Sequence, residues 1–165
     1  SFVDGMLEGA GPGTTLIDGG EGGYPLQTFR SFMDLRKEAQ MKGQKKSQVP
    51  QIYRKKMKYG FGVWLDYMPN RFGGWHTKEE ALEKNYRSPS YMGYALYNAL
   101  TASDNYVWLY VWHPEYWWNP ESRLKENLHK QQQQQCVLCP HSVMPQAYLD
   151  VFRNCRKPHD LGWKP

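Results

Sequence analysis

Gly60-Phe61-Gly62-Val63-Trp64-Leu65-Asp66-Tyr67 is the stretch on which the fold turns. It is almost continuously apolar and rich in aromatic side chains. A strand covered on both faces reads this way, whereas a half-exposed strand alternates. Two further runs of similar character flank it. Thr14 to Asp18 is short, β-branched and apolar, with glycines on either side. Asn105 to Trp112 contains Tyr-Val-Trp-Leu-Tyr-Val-Trp, as β-prone as any run in the chain.

Helical patterns fill the spaces between these runs. Phe2 to Leu7 reads as a short opening helix ended by Gly-Ala-Gly-Pro-Gly. Pro25 suits a first helical turn, and Phe29, Phe32, Met33, Leu35 and Ala39 carry a helix to about Met41. Gly43 to Ser47 reads as a polar break, and Val49 to Tyr59 as a second helix with Pro50 at its start. Thr77-Lys78-Glu79-Glu80 resembles a capping box. Ser88-Pro89 opens a stronger helix with Met92, Ala95, Leu96, Ala99 and Leu100 on one side. Glu121 to Gln135 is partly helical in pattern but ends in five consecutive glutamines, and Pro145 to Arg156 is amphipathic.

Strands alternating with helices predict parallel strands joined by crossover helices, an α/β architecture. Only three strands are visible, and a closed eight-stranded α/β barrel needs about 250 residues. The chain therefore reads as a partial (β/α)8 barrel over residues 1–120, followed by an irregular, partly helical C-terminal extension over 121–165.

Composition narrows the class. At 165 residues the chain is about one domain. Seven Trp, twelve Tyr and six Phe provide enough apolar surface to offset ordering entropy, which argues against a wholly disordered chain. No apolar run is long enough for a membrane-spanning helix. Ser1 to Gly13 lacks the basic start and apolar stretch of a signal peptide, and the chain lacks an initiator Met, so it reads as processed or as a piece of something longer. The net charge of +5 is concentrated in Arg36–Lys46 and Arg54–Lys58, with Arg153, Arg156 and Lys157 adding a second patch. These read as solvated helix faces. No zinc-finger, RNA-recognition or helix-turn-helix pattern accompanies them, so a nucleic-acid partner is not expected.

In α/β folds, sites form at the C-terminal edges of the strands. The first strand ends in Asp18, with Glu21 three residues on; the second ends in Asp66 and Tyr67. The third runs into Trp112, His113 and Glu115, then Tyr116, Trp117 and Trp118. Carboxylates and aromatic rings on one rim suit a carbohydrate site. Glycosidic cleavage commonly uses one carboxylic acid and one carboxylate. On this reading Glu21 is the acid/base and Asp66 the second carboxylate. Asp18, Tyr24, Trp75, Trp112, Glu115, Trp117 and Trp118 would be substrate contacts. The alternative is that Asp18 and Asp66 cap the following turns, and that Trp64 and Trp108 belong to the core.

The ordered motifs Ile17-Asp18-Gly19-Gly20-Glu21-x-x-Tyr24, Gly60-Phe61-Gly62-x-Trp64-Leu65-Asp66-Tyr67, Asn85-Tyr86-x-Ser88-Pro89, Ala99-Leu100-x-x-Ser103-Asp104-x-Tyr106-Val107-Trp108-x-Tyr110 and Trp117-Trp118 resemble the C-terminal half of a glycoside-hydrolase-like (β/α)8 barrel of bacterial, often secreted, proteins. The resemblance covers most of residues 1–118, and Met144-Pro145-x-x-Tyr148-Leu149 is similar to the end of such chains. It implies that Glu21 and Asp66 face a sugar site, and suggests a secreted or periplasmic location. One departure stands out. The resembling pattern places an acid soon after the third strand's Tyr, where this chain has Val111-Trp112-His113-Pro114, and Glu115 comes later. Two functions follow as expectations: a domain that binds or hydrolyses a glycan, or a catalytically inactive subunit that keeps the fold. A partial barrel leaves unpaired strand edges, so a partner is expected, either another polypeptide or a second copy completing the barrel.

Cys136-x-x-Cys139 and Cys155-x-x-x-His159, with His141 nearby, have spacings compatible with a Cys3His zinc site. A disulfide between two of the three cysteines, or free thiols, fit the same residues. Gly19-Gly20-x-Gly22-Gly23 lacks the Lys-Ser/Thr of a phosphate loop, and no Gly-x-Ser-x-Gly elbow occurs.

Overall fold

The computed structural model describes residues 1–69, 76, 78–112 and 144–157. Five α-helices and three strands lie among them: α1 (Phe2–Gly9), β1 (Leu16–Gly20), α2 (Phe29–Lys46), α3 (Pro50–Lys56), β2 (Met57–Trp64), α4 (Pro89–Ala102), β3 (Tyr106–Tyr110) and α5 (Gln146–Asn154). Short 3-10 turns occupy Glu21–Gly23 and Glu79–Lys84. The strands form one parallel sheet in the order β1-β2-β3, as the alternation of strands and helices predicts. In the β1–β2 ladder Leu16 pairs with Met57 and Gly20 with Phe61. Between β2 and β3, Asp104 N–H donates to Tyr59 O at 2.8 Å, and Leu65 N–H donates to Tyr110 O at 2.9 Å. The expected boundary at 120/121 lies outside the described residues, as do the aromatic loop at 113–120 and the helical pattern at 121–135.

The chain divides into two compact units, Ser1–Val63 with Ala95–Leu109, and Trp64–Tyr94 with Tyr110–Pro165. In the first, α1 and α2 both pack on α3. Leu7, Tyr53 and Tyr59 form a buried cluster beneath them, with Leu16, Ala39, Ile52 and Met57 packed around it. Phe32 of α2 meets Phe61 of β2 at 5.0 Å between ring centres. Strand alternation accounts for this arrangement: Tyr59 and Phe61 point to the helices, while Gly60 and Gly62 point to the opposite face.

Element boundaries shift from the sequence reading, each for a local reason. β1 runs two residues later than Thr14–Asp18, because Gly19 and Gly20 pair with Gly60 and Phe61. α2 starts at Phe29 rather than near Pro25, where Thr28 caps it by accepting the Ser31 N–H at 3.2 Å. It then passes through the expected break to Lys46. A Cβ on Gly43 would collide with the Tyr53 ring and hydroxyl, so the glycine makes room for α3 instead of ending α2. α3 stops at Lys56, and Met57–Tyr59, expected as helix, open β2. β2 ends at Trp64, which leaves Asp66 just beyond it. Lys78 precedes the 3-10 turn at Glu79–Lys84 without a capping side chain, and Thr77 lies outside the described residues. β3 is confined to Tyr106–Tyr110, and α5 to Gln146–Asn154.

Part of the basic charge expected on solvated faces is used internally. Lys56 Nζ donates to Leu7 O at 3.3 Å, to Gly11 O at 3.2 Å and to Ala10 O, closing the C-terminal end of α1. Arg36 donates to Ala102 O and to Asp104 Oδ1, each at 2.7 Å. At the other end of α1, Asp4 accepts from Ser47 Oγ at 2.6 Å and from Gln48 N at 3.2 Å, joining α1 to the α2–α3 turn. The Ser47 hydroxyl, followed by its other donors, holds the Asp4 carboxyl far below the usual carboxylate range. In the second unit, the Asn85 side-chain amide accepts the His76 N–H at 2.7 Å, donates to His76 O at 2.8 Å and donates to the Tyr148 hydroxyl at 3.1 Å. Tyr148, fully buried on α5, donates to Arg87 O at 2.5 Å. Burial pushes the Arg87 guanidinium down to about 10.

Asp104 also accepts the Tyr59 N–H at 2.9 Å, so one side chain ties β2, α2 and the turn into β3. Burial alone would raise its pKa, but the Tyr59 N–H and Arg36 outweigh that and lower it from 3.8. A carboxyl lowered on folding stabilises the fold fully above its unfolded value and loses that contribution as pH falls through the folded one. Asp104→Ala is expected to cost about 1–3 kcal/mol in urea unfolding at neutral pH. The gap to the wild-type protein should narrow as pH drops below 3.8.

Candidate functional site

Within the first unit, the sheet face opposite the helices carries Ile17, Tyr106 and Trp108 over glycines. A Cβ on Gly60 would lie 2.7 Å from Tyr106 O and 3.3 Å from Ile17 Cγ2. A Cβ on Gly62 would lie 2.8 Å from Trp108 Cζ2 and 2.6 Å from Tyr24 Cε1. On Gly19 it would meet Trp108 Nε1 at 3.1 Å. The indole of β3 therefore lies across β2 toward β1 on a bed of bare backbone. Its Nε1 donates to Gly19 O at 2.9 Å, and Tyr24 meets it edge-on at 5.4 Å and 77°. Trp108 is still 37% exposed, and Ile17 and Tyr106 are 45% and 42% exposed. Trp108, assigned to the core in the alternative reading of the sequence, is thus a fixed, half-open surface. The signal in the sequence was the glycine spacing at 19, 60 and 62, which the strand pattern alone did not connect to Trp108.

Glu21 and Tyr24 follow β1 directly. Glu21 is exposed on the 3-10 turn, while Gly23 is buried against β2, where a Cβ would sit 2.7 Å from Gly62 O. Asp18 is half-buried in β1 itself.

In the second unit, Asp66 is 3% exposed. Its Oδ1 accepts from Trp64 Nε1 at 2.6 Å and from Trp112 N at 2.9 Å. Trp64 and Trp112 stack at 5.5 Å and 10°, and Tyr110 and Tyr67 meet Trp64 edge-on at 5.1 and 5.2 Å. Trp112 is 56% exposed. The structure thus brings Asp66 and Trp112 together directly. These two bonds tie Asp66 to the last residue of β2 and to the chain that follows β3.

Trp75, Glu115, Trp117 and Trp118 lie outside the described residues, as do Cys136, Cys139 and His159 of the zinc set. Cys155 is half-buried, its Sγ donates to Phe152 O at 3.5 Å, and burial pushes its thiol up. Among the described residues no group of three His, Cys, Asp or Glu side chains could hold a metal ion, and no helix is long and apolar enough to cross a membrane. Comparison with protein-family models, with curated proteins and with solved structures found no match to this chain.

Gly62→Ala tests the aromatic bed. The added methyl needs space held by Tyr24 and Trp108, so a loss of about 1–3 kcal/mol is expected. The indole Nε1–H resonance of Trp108 should shift or broaden in the folded variant.

Proposed function

We propose that this chain is a carbohydrate-active, glycoside-hydrolase-like domain that binds a glycan and, when its site is complete, hydrolyses it. The single observation that carries this reading is Trp108. Its only side-chain donor is already bonded to Gly19 O, and Gly19 and Gly62 leave the space its ring occupies. What it offers a ligand is an apolar face, and the apolar face of a pyranose ring is a match. Trp112, exposed and stacked on Trp64, offers a second such surface in its own unit. The ordered motifs that resemble a partial (β/α)8 barrel support the same reading. In it, Glu21 serves as acid/base and Asp66 as second carboxylate or hydroxyl acceptor, in a hydrolysis that passes through an oxocarbenium-like transition state.

A second reading is favoured by Asp66 itself. A carboxylate oxygen shared between an indole N–H and a backbone N–H holds two strand ends together, work that needs no substrate. On this reading the chain is a catalytically inactive subunit that keeps the fold and joins a larger assembly, its sheet extended by another polypeptide or a second copy.

Titrating a panel of soluble oligosaccharides (gluco-, xylo-, manno- and chito-series) against the chain separates the two. The glycan reading expects binding that Trp108→Ala weakens about three- to tenfold. Glu21→Gln and Asp66→Asn should abolish any turnover. The amide introduced by Asp66→Asn keeps an oxygen acceptor for the two N–H donors, so the fold survives that change. Unchanged turnover in both variants removes those roles, and a wild-type chain that neither binds nor cleaves any of the panel leaves the subunit reading.

A further inference from the structure

We infer that the outer edge of β1 is a strand-addition site for an extended peptide segment carrying a basic side chain. The inference deepens the subunit reading above and rests on it for its biological setting, though not for its geometry. β1 is an outer strand of the sheet, paired among the described residues only with β2. An outer strand presents backbone N–H and C=O groups that another extended chain can satisfy. Along this edge lies a cavity of about 520 Å³. Val3 and Met6 of α1, Leu16 and Ile17 of β1, and Tyr53 of α3 give it apolar walls. Val3, Met6 and Ile17 are 39%, 44% and 45% exposed, a concentration of apolar surface beside an open edge.

The occupant is defined by that combination. Backbone groups on the edge select an extended chain, because only a strand can form a ladder with them. Side chains alternate along a strand, so every second residue of the added segment would enter the cavity. Those residues should be apolar, with one exception. Asp18 lines the cavity, half-buried, its backbone in the β1–β2 ladder and its carboxylate without a side-chain hydrogen bond or ion pair among the described residues. Asp4, also in the wall, is already engaged by Ser47 and Gln48. Lys46 is the wall's one basic side chain and does not form an ion pair with Asp18. A lysine or arginine on the incoming strand would neutralise Asp18. A second copy of this chain fits less well. Two-fold pairing of β1 with itself in the fully overlapped register sets Asp18 opposite Asp18, and like charges directly opposite are destabilising.

Synthetic peptides test this on the whole chain. The probe is Thr-Val-Thr-Lys-Thr-Val-Thr, fluorescently labelled, with a matched peptide in which Glu replaces Lys and a third carrying N-methyl groups on alternate residues. The expected result is saturable binding of the Lys peptide, slowed amide exchange within Leu16–Gly20, and loss of binding on N-methylation. Asp18→Lys should weaken the Lys peptide about tenfold and transfer the preference to the Glu peptide, a swap that also shows the variant is folded. The proposal is overturned if the wild type binds no peptide, if N-methylation changes nothing, or if Asp18→Lys leaves the preference intact. It is also overturned if sedimentation shows a dimer that Ile17→Lys dissociates, which would assign the edge to a second copy. Glycan turnover by the wild type would remove the inactive-subunit reading and leave this edge as it stands.

Discussion

One carboxylate sets the frame. Asp104 accepts from the backbone of β2 and from the guanidinium of α2, while its own N–H bonds back to β2. Both backbone groups of Tyr59 on β2 and the Arg36 guanidinium of α2 meet at the point where the chain leaves α4 for β3. The turn is made by Asn105 in the left-handed region, at φ 71°, a conformation that Asn tolerates better than most side chains. From this point the β2–β3 register follows, and with it the position of Trp108 above Gly62. Displacing Asp104 would therefore disturb the aromatic face as well as the helix layer.

The α/β class and the parallel sheet were legible because three apolar runs separated by helical patterns admit few other arrangements. The helix starting at Pro89 was legible for the same kind of reason, its small and apolar residues recurring at helical spacing. The boundaries were less so. Gly19 and Gly20 look like loop by propensity, yet they pair with β2, and the missing side chain of Gly19 leaves room for the Trp108 indole. Met57–Tyr59 carry no local sign that the helix has ended. What ends it is pairing with Leu16–Asp18, far earlier in the chain. Long-range pairing of this kind overrides local preference and is invisible to a window of neighbouring residues.

The candidate site divides in the same way. Carboxylates following strands were readable from topology, and Asp66 and Glu21 do follow β2 and β1. The partners of Asp66 were not readable, since Trp112 lies 46 residues further along the chain. Residue type alone puts Trp108 in the core. Its half-open position depends on glycines in two other strands, a relation that appears only once the register is known. Asn85 shows the converse: part of a recognisable motif, it is occupied with holding His76 and Tyr148 together.

Gly43 has one more consequence. A glycine inside a helix costs about 1 kcal/mol relative to alanine, and α2 tolerates it where Tyr53 fills the notch. The last turn of α2 is therefore weak by itself and becomes worthwhile only when α3 is already in place. The two segments should order and melt as a single cooperative block, closing and opening together, and not as a long helix that nucleates early and waits for its neighbour.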